Sequence, residues 1–180
     1  GVLGFEVQYA PLWYYRRETP MTTVGPELRK LLKALPHEDS ELSQMHALSA
    51  LIRDRVAYET GQTEVTTTAE ESLKAGHGVC QDHTHIFIAA ARAIGFPARY
   101  ISGYLMMDDR IDQDAAHAWA EVFLADIGWV GFDVSNVISP DERYVRVASG
   151  LDYKEAAPVS GMRFGDSAES FSVSLQVEQQ

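Results

Sequence analysis

The hydrophobic pattern of this chain changes period at Pro97, and that change limits what it can fold into. Upstream, apolar residues recur at helical spacing; downstream, they alternate. Pro26 opens a short amphipathic helix over Glu27–Leu35 that Pro36 stops. Asp39 or Ser40 caps a second, with Leu42, Met45, Leu48, Ile52 and Val56 as its buried stripe. Thr68-Ala69-Glu70-Glu71 fits a capping box and opens a short helix that Gly76 ends. A fourth helix, roughly Cys80–Ile94, closes at Gly95. Beyond Pro97, strands are expected over Ala98–Met106 and Ala116–Leu124, the second the clearest in the chain. A turn at Asp126-Ile127-Gly128 returns Trp129–Asp133 as a hairpin partner, and Tyr144–Val147 and Phe171–Val177 add strands. Helices first and antiparallel strands second make an α+β fold.

The connecting segments carry less information. Residues 2–15 mix partial alternation with Trp13-Tyr14-Tyr15 and read as a strand followed by an extended arm. Arg16–Gly25, Tyr58–Thr67 and Lys154–Ser167 read as loops, and Met107–Ala115 as a solvated acidic loop with Asp108, Asp109, Asp112 and Asp114. A chain of 180 residues is one domain by its length. Residues 1–20 read as the arm or tail of an upstream β domain, and 21–180 as the functional domain. A net charge of −11 argues against a nucleic-acid partner, and no apolar run is long enough for a membrane span. One cysteine excludes an internal disulfide and suits a reducing compartment, so a cytoplasmic setting is expected.

That cysteine is where chemistry is expected. The loop Gly76-His77-Gly78-Val79 delivers Cys80 to the first turn of a mostly buried helix. Orphan backbone N–H groups and the positive dipole end favour a thiolate there, and the same N–H groups can donate to an oxyanion. A buried, inert cysteine is the competing reading.

A thiol nucleophile needs a base, and the base needs an orienting group. Of six histidines, His37 and His46 read as surface residues, while His77, His83 and His85 crowd Cys80 in sequence. A metal site built from those three and Cys80 is disfavoured, because His83 and His85 diverge on a helix and no CxxC pair exists. His85 and Asp82 read as core or site-wall residues that hold the helix. His117 stands alone on the strand placed to pack on the nucleophile helix, with Trp119 on the same strand face. Asp133 ends the next strand. A turn centred on Ile127 sets Asp133 opposite Glu121, with His117 four residues further on, about 13 Å at strand rise. A bulge, a longer turn or strong twist shortens that gap. Spacing permits a Cys80–His117–Asp133 triad and does not establish it.

Four stretches resemble the core of the transglutaminase-like superfamily, and more closely its bacterial members of the cysteine-protease type. They are Gly78-Val79-Cys80-Gln81-Asp82, Arg92–Tyr100, His117-Ala118-Trp119-Ala120-Glu121-Val122 and Gly128–Asp133, within a core of roughly Thr68–Asn136. The resemblance implies a papain-like α+β fold, a Cys80–His117–Asp133 triad and no cofactor or metal. It further implies a peptide or protein substrate attacked at an amide through a thioester. The first expectation is a cysteine protease or amidase. The alternatives are a protein-glutamine transglutaminase and a non-catalytic peptide-binding module of the same fold. The backbone N–H of Cys80 is the best oxyanion donor, and Gln81, Tyr58 and Tyr104 are candidates for the second, with Trp119 as site wall. Many relatives carry proline after the acidic residue; here Val134-Ser135-Asn136 follows, which leaves the triad intact and alters the loop beside it.

Overall fold

A computed structural model describes residues 10–106 and 116–157. The acidic loop from Asp108 to Asp114, the strand Phe171–Val177 and the first strand before residue 10 lie outside the described residues.

The helical half forms as the caps dictate. Helix α1, Pro26–Ala34, begins at the proline, and two of its free N–H groups (Glu27 and Leu28) donate to the Glu70 carboxylate at 2.6 and 3.1 Å. Helix α2, Glu41–Arg55, is capped by Ser40, whose hydroxyl accepts from Ser43 N–H at 3.1 Å. Its stripe residues Met45, Leu48 and Ile52 are buried, each stabilising the fold by about 1.5–3 kcal/mol. A two-residue strand β1, Ala57–Tyr58, then pairs in parallel with β2, His77–Gly78. Between them, helix α3, Ala69–Ala75, carries the expected Thr68/Glu71 capping box and stops at Gly76.

Helix α4, Cys80–Ala93, is the centre of the molecule. Every residue from Asp82 through Arg92 is buried, so it is enclosed all round. It lies on a four-stranded antiparallel sheet of order β5-β4-β3-β6, formed by β3 (Ala98–Leu105), β4 (His117–Leu124), β5 (Gly128–Phe132) and β6 (Tyr144–Gly150). Alternate residues Tyr100, Ala118, Ala120, Val122, Val130 and Phe132 join its side chains in one core, with Phe87 and Phe132 rings 5.3 Å apart. A one-turn helix α5, Tyr153–Ala156, capped by Asp152, replaces the start of the expected Lys154–Ser167 loop. No helix among the described residues is long and apolar enough to cross a membrane.

Two expectations are corrected. Residues 10–15 are not an extended arm: Tyr14 N–H donates to Pro11 O and a single 3-10 turn, Tyr14–Arg16, packs Tyr15 edge-on to Trp129 at 5.1 Å. Arg92 fastens this segment, donating to Tyr15 O, Ala98 O, Thr22 Oγ1 and Leu151 O at 2.7 to 3.2 Å. The second correction concerns the β4–β5 turn. Val122 pairs with Val130 and Ala120 with Phe132, so the turn is centred on Asp126, not Ile127, and Glu121 faces Gly131. Gly128 adopts φ of 93°, which allows a three-residue loop after Leu124 and moves the register by two residues.

Candidate active site

Cys80 is the first residue of α4 and half-buried. Val79 has no side chain that can cap the helix. Asp82 fills that role from inside the first turn, its Oδ2 accepting from Val79 N–H at 2.8 Å and from the Thr63 hydroxyl at 2.7 Å. Burial outweighs these bonds and raises the Asp82 pKa above its ordinary value. The approach to Cys80 is thus held by a short polar clamp, and the Cys80 N–H points out of the helix end without an intrahelical partner.

The shifted register brings His117 and Asp133 together. Continuing the β4–β5 pairing by one step sets Asp133 opposite Trp119, so His117 lies two residues along rather than four. Such diagonal neighbours are about 7–8 Å apart at the backbone, within side-chain reach. The His117 Nε2 to Asp133 Oδ2 distance is 2.6 Å, with the His117 side chain 13% exposed and Asp133 fully buried. The ring's other nitrogen, Nδ1, is left for Cys80, the second group that raises the His117 pKa. Burial disfavours the imidazolium, but Asp133 and Cys80 together outweigh it and hold the His117 pKa up at about 10.

Asp133 is the most heavily bonded group of the site. Its Oδ2 also accepts from Tyr144 OH and Asn136 Nδ2, each at 2.7 Å, and its Oδ1 accepts from Asn136 N–H at 3.2 Å. Burial pushes the carboxyl pKa up; the bonds from His117, Tyr144 and Asn136 win and hold it below the ordinary value. The backbone pair Asp133–Ile138 closes the loop that carries Asn136, and Val137 within it sits at φ of 56°, costly for a β-branched residue.

Beneath Cys80, His117 and Asp133 lies a second polar link. His83, one turn after Cys80, is fully buried, and burial depresses its pKa to about 4. The neutral ring donates from Nε2 to Val56 O at 3.0 Å, which leaves Nδ1 to accept from Ser135 Oγ at 2.9 Å. Arg53 Nε donates to Ser135 O at 3.1 Å, so α2, α4 and the loop after Asp133 are tied together. Of the residues that follow Asp133, Ser135 anchors the loop and Asn136 holds the carboxylate.

Of the remaining expected site residues, Trp119 is a wall, its ring stacked on His117 at 6.4 Å. Tyr58 leans on His83 at 6.0 Å, and its hydroxyl pKa is raised by burial, then by Cys80 and Asp133, which locates it beside the site. Gln81 Nε2 donates to Val65 O at 3.0 Å, which uses one of its two amide hydrogens. The Tyr104 side chain lies on the opposite sheet face from His117 and makes no hydrogen bond to the described residues. His77, Cys80, His83 and His85 do not converge: His85 Nε2 accepts from Tyr153 N–H at 3.2 Å, and no group of three metal-ligating side chains occurs among the described residues. His37 and His46 are exposed, as expected. Sequence reasoning missed Asn136, whose N–H three residues on lies within local reach of the Asp133 carboxylate, and Tyr144, which carried no signal.

Residues 29–134 match the family model of the Transglutaminase-like superfamily. An uncharacterized protein of Mycobacterium tuberculosis is 38% identical over 133 residues, covering 68% of this chain and 42% of that protein. One from Mycobacterium leprae is 27% identical over 164 residues, covering 88% of this chain and 58% of its own. This chain thus spans about half the length of those relatives. Among solved structures, a putative cysteine protease from Cytophaga hutchinsonii superposes with a TM-score of 0.67 at 27% identity, over 81% of this chain and 49% of that one. A TGase structure shares the fold, with a TM-score of 0.51 at 15% identity over 64% of this chain and 32% of its own.

Proposed function

Since this chain belongs to the transglutaminase-like superfamily, we propose that it is a thiol-dependent acyl-transfer enzyme acting on amide bonds of peptides or proteins, of the cysteine protease or amidase type. The observation that carries this reading is His117 held between Cys80 and Asp133, with 2.6 Å to the acid. In the reaction, Cys80 Sγ as thiolate attacks the amide carbonyl carbon, and the tetrahedral oxyanion takes hydrogen bonds from the Cys80 N–H and the Tyr58 hydroxyl. As the C–N bond breaks, His117 passes its proton to the leaving amine and a thioester remains. Water then enters, gives its proton to His117, and attacks the thioester; the carboxylic acid leaves and the thiolate–imidazolium pair is restored. Asp133 stays ionised throughout and holds the imidazole in its working orientation. Hydrolysis is favoured over transfer to an amine by the likeness to the Cytophaga hutchinsonii structure. A free thiol nucleophile is best preserved in a reducing compartment, which supports a cytoplasmic setting.

The test is the pH dependence of Cys80 alkylation by iodoacetamide, in the wild type and in His117→Ala. Reactivity is expected to persist well below the ~8.5 midpoint of a free cysteine and to lose that acid limb in the variant. An ordinary thiol profile indifferent to His117 would overturn the assignment and leave a non-catalytic binding module. With the thiolate established, release of amine from a peptide library with and without an added alkylamine separates hydrolysis from transamidation.

A further inference from the structure

Tyr144 comes from the strand furthest in the sheet from Asp133, with β3 and β4 between them. Two features bring it across. The first is a bulge: β3 and β6 pair as Ser102↔Ala148 and then Gly103↔Arg146, so Val147 is the extra residue. Because side chains alternate with period two, this one-residue slip reverses the faces of β6 beyond it. Without it Tyr144 would share the core-facing side with Tyr100 and Ala118. With it, Tyr144 and Arg146 fall on the side of Gly103, which pairs with His117. The second feature is the bare backbone of Gly103. A Cβ there would lie 2.0 Å from Val145 O and 2.7 Å from the Trp119 ring, so only glycine lets β6 and Trp119 close in together.

The result is a ring cluster with one polar tip. Tyr144 packs edge-on to Trp119 at 5.4 Å and tilted to His117 at 5.9 Å, and its hydroxyl donates to Asp133 Oδ2 at 2.7 Å, the oxygen that His117 uses. We propose that Tyr144 is a positioning residue for acyl transfer, delivered by the β6 bulge to lock the Asp133 carboxylate in the orientation that aligns His117 with Cys80. This rests on the acyl-transfer reading above. Three donors on a single oxygen leave the carboxylate no rotation that keeps them all, whereas without the phenol it is tied only by His117 and Asn136. The charged groups near the phenol are Asp133, His117 and Asp141, the last paired with Arg143 at 2.6 Å. Burial and then Asp133 raise the phenol's pKa above its ordinary range, so it remains a donor wherever the site works.

Tyr144→Phe tests this, since it keeps the ring packing and removes only the donor. Iodoacetamide alkylation of Cys80 is followed from pH 5 to 9 in the wild type, Tyr144→Phe, Asp133→Asn and the double variant, with melting temperatures alongside. The expected result is an alkylation rate near pH 6 at least fivefold slower in Tyr144→Phe, an unchanged rate near pH 9, and no further loss when Tyr144→Phe is added to Asp133→Asn. A purely structural tyrosine would lower the melting temperature and leave the pH profile in place, which overturns the proposal. Losses that add fully in the double variant overturn it too, because Tyr144 would then not act through Asp133. An ordinary thiol profile in the wild type removes the reading beneath it, and a wild-type acid limb that Tyr144→Phe does not move removes this inference alone.

Discussion

Replacing Asp133 with asparagine removes one negative charge from a fully buried position and keeps an oxygen for His117. In the native site burial alone would push His117 below its ordinary 6.5, yet it is held at about 10 by Asp133 and Cys80. A charge-assisted hydrogen bond is worth about 1.5–3 kcal/mol, and each 1.36 kcal/mol is one pKa unit. Neutralising the acceptor should therefore shift the balance from the thiolate–imidazolium pair towards the neutral thiol–imidazole pair by roughly 10- to 100-fold, and slow alkylation near pH 6 by about that factor. A second effect comes from geometry. Every hydrogen bond to Asp133 is a donor (His117, Tyr144 and Asn136 twice), so an amide NH₂ must face one of them whichever way it turns. That conflict should cost about 1–3 kcal/mol of stability. The assay is alkylation from pH 5 to 9 with urea unfolding at pH 7, supported by NMR titration of His117. An acid-side rate within threefold of the wild type, in a protein of unchanged stability, would refute the reasoning: His117 would not be depending on the charge of Asp133.

Asp82→Ala should cost about 2–4 kcal/mol, because Val79 N–H and the Thr63 hydroxyl lose their acceptor at the start of α4. Asp82→Asn, which keeps an acceptor and sheds a charge that burial disfavours, should stay within about 1 kcal/mol; urea midpoints at pH 7 compare them. Arg92→Met should destabilise by about 2–4 kcal/mol, since the carbonyls of Tyr15, Ala98 and Leu151 lose a buried donor. That is less than the bonds alone suggest, because holding the guanidinium charged in the interior is itself costly, its pKa being depressed by burial to about 10. Stability should also fall on both sides of a maximum near pH 6.5. His83 and His85, held at about 4, bind protons more readily unfolded, so stability drops as pH falls from 6.5 towards 4. His117, held at about 10, contributes below 6.5 and loses that contribution as pH rises towards 10. Urea midpoints from pH 4 to 9 check this, and a midpoint that rises steadily with pH would contradict the His117 half.

Much of the fold is local and was therefore legible. Ser40, Thr68, Gly76 and the prolines act within a few residues of themselves, so α1, α2, α3 and α4 begin and end where their caps and breakers stand. Cys80 at the first turn of a buried helix follows from glycine and apolar spacing alone. The hairpin was legible as an element but not in register, because one left-handed glycine, Gly128, moved the turn centre from Ile127 to Asp126. That single step separates a 13 Å gap, about four strand residues, from a diagonal pair within side-chain reach. The family resemblance had joined His117 to Asp133 where residue counting could not.

What surrounds Cys80, His117 and Asp133 was decided by tertiary structure. His83 reads as one more histidine beside Cys80 until Val56 and Ser135 occupy both its nitrogens. Tyr144 reads as one residue of an edge strand, and its partner is set by a bulge two strands away from the acid it holds. Caps, breakers and periodicity are properties of neighbouring residues and are written in the order of the chain. The face a strand residue presents beyond a bulge, and the partner that satisfies a buried polar atom, depend on elements distant in sequence and exist only once those elements have packed.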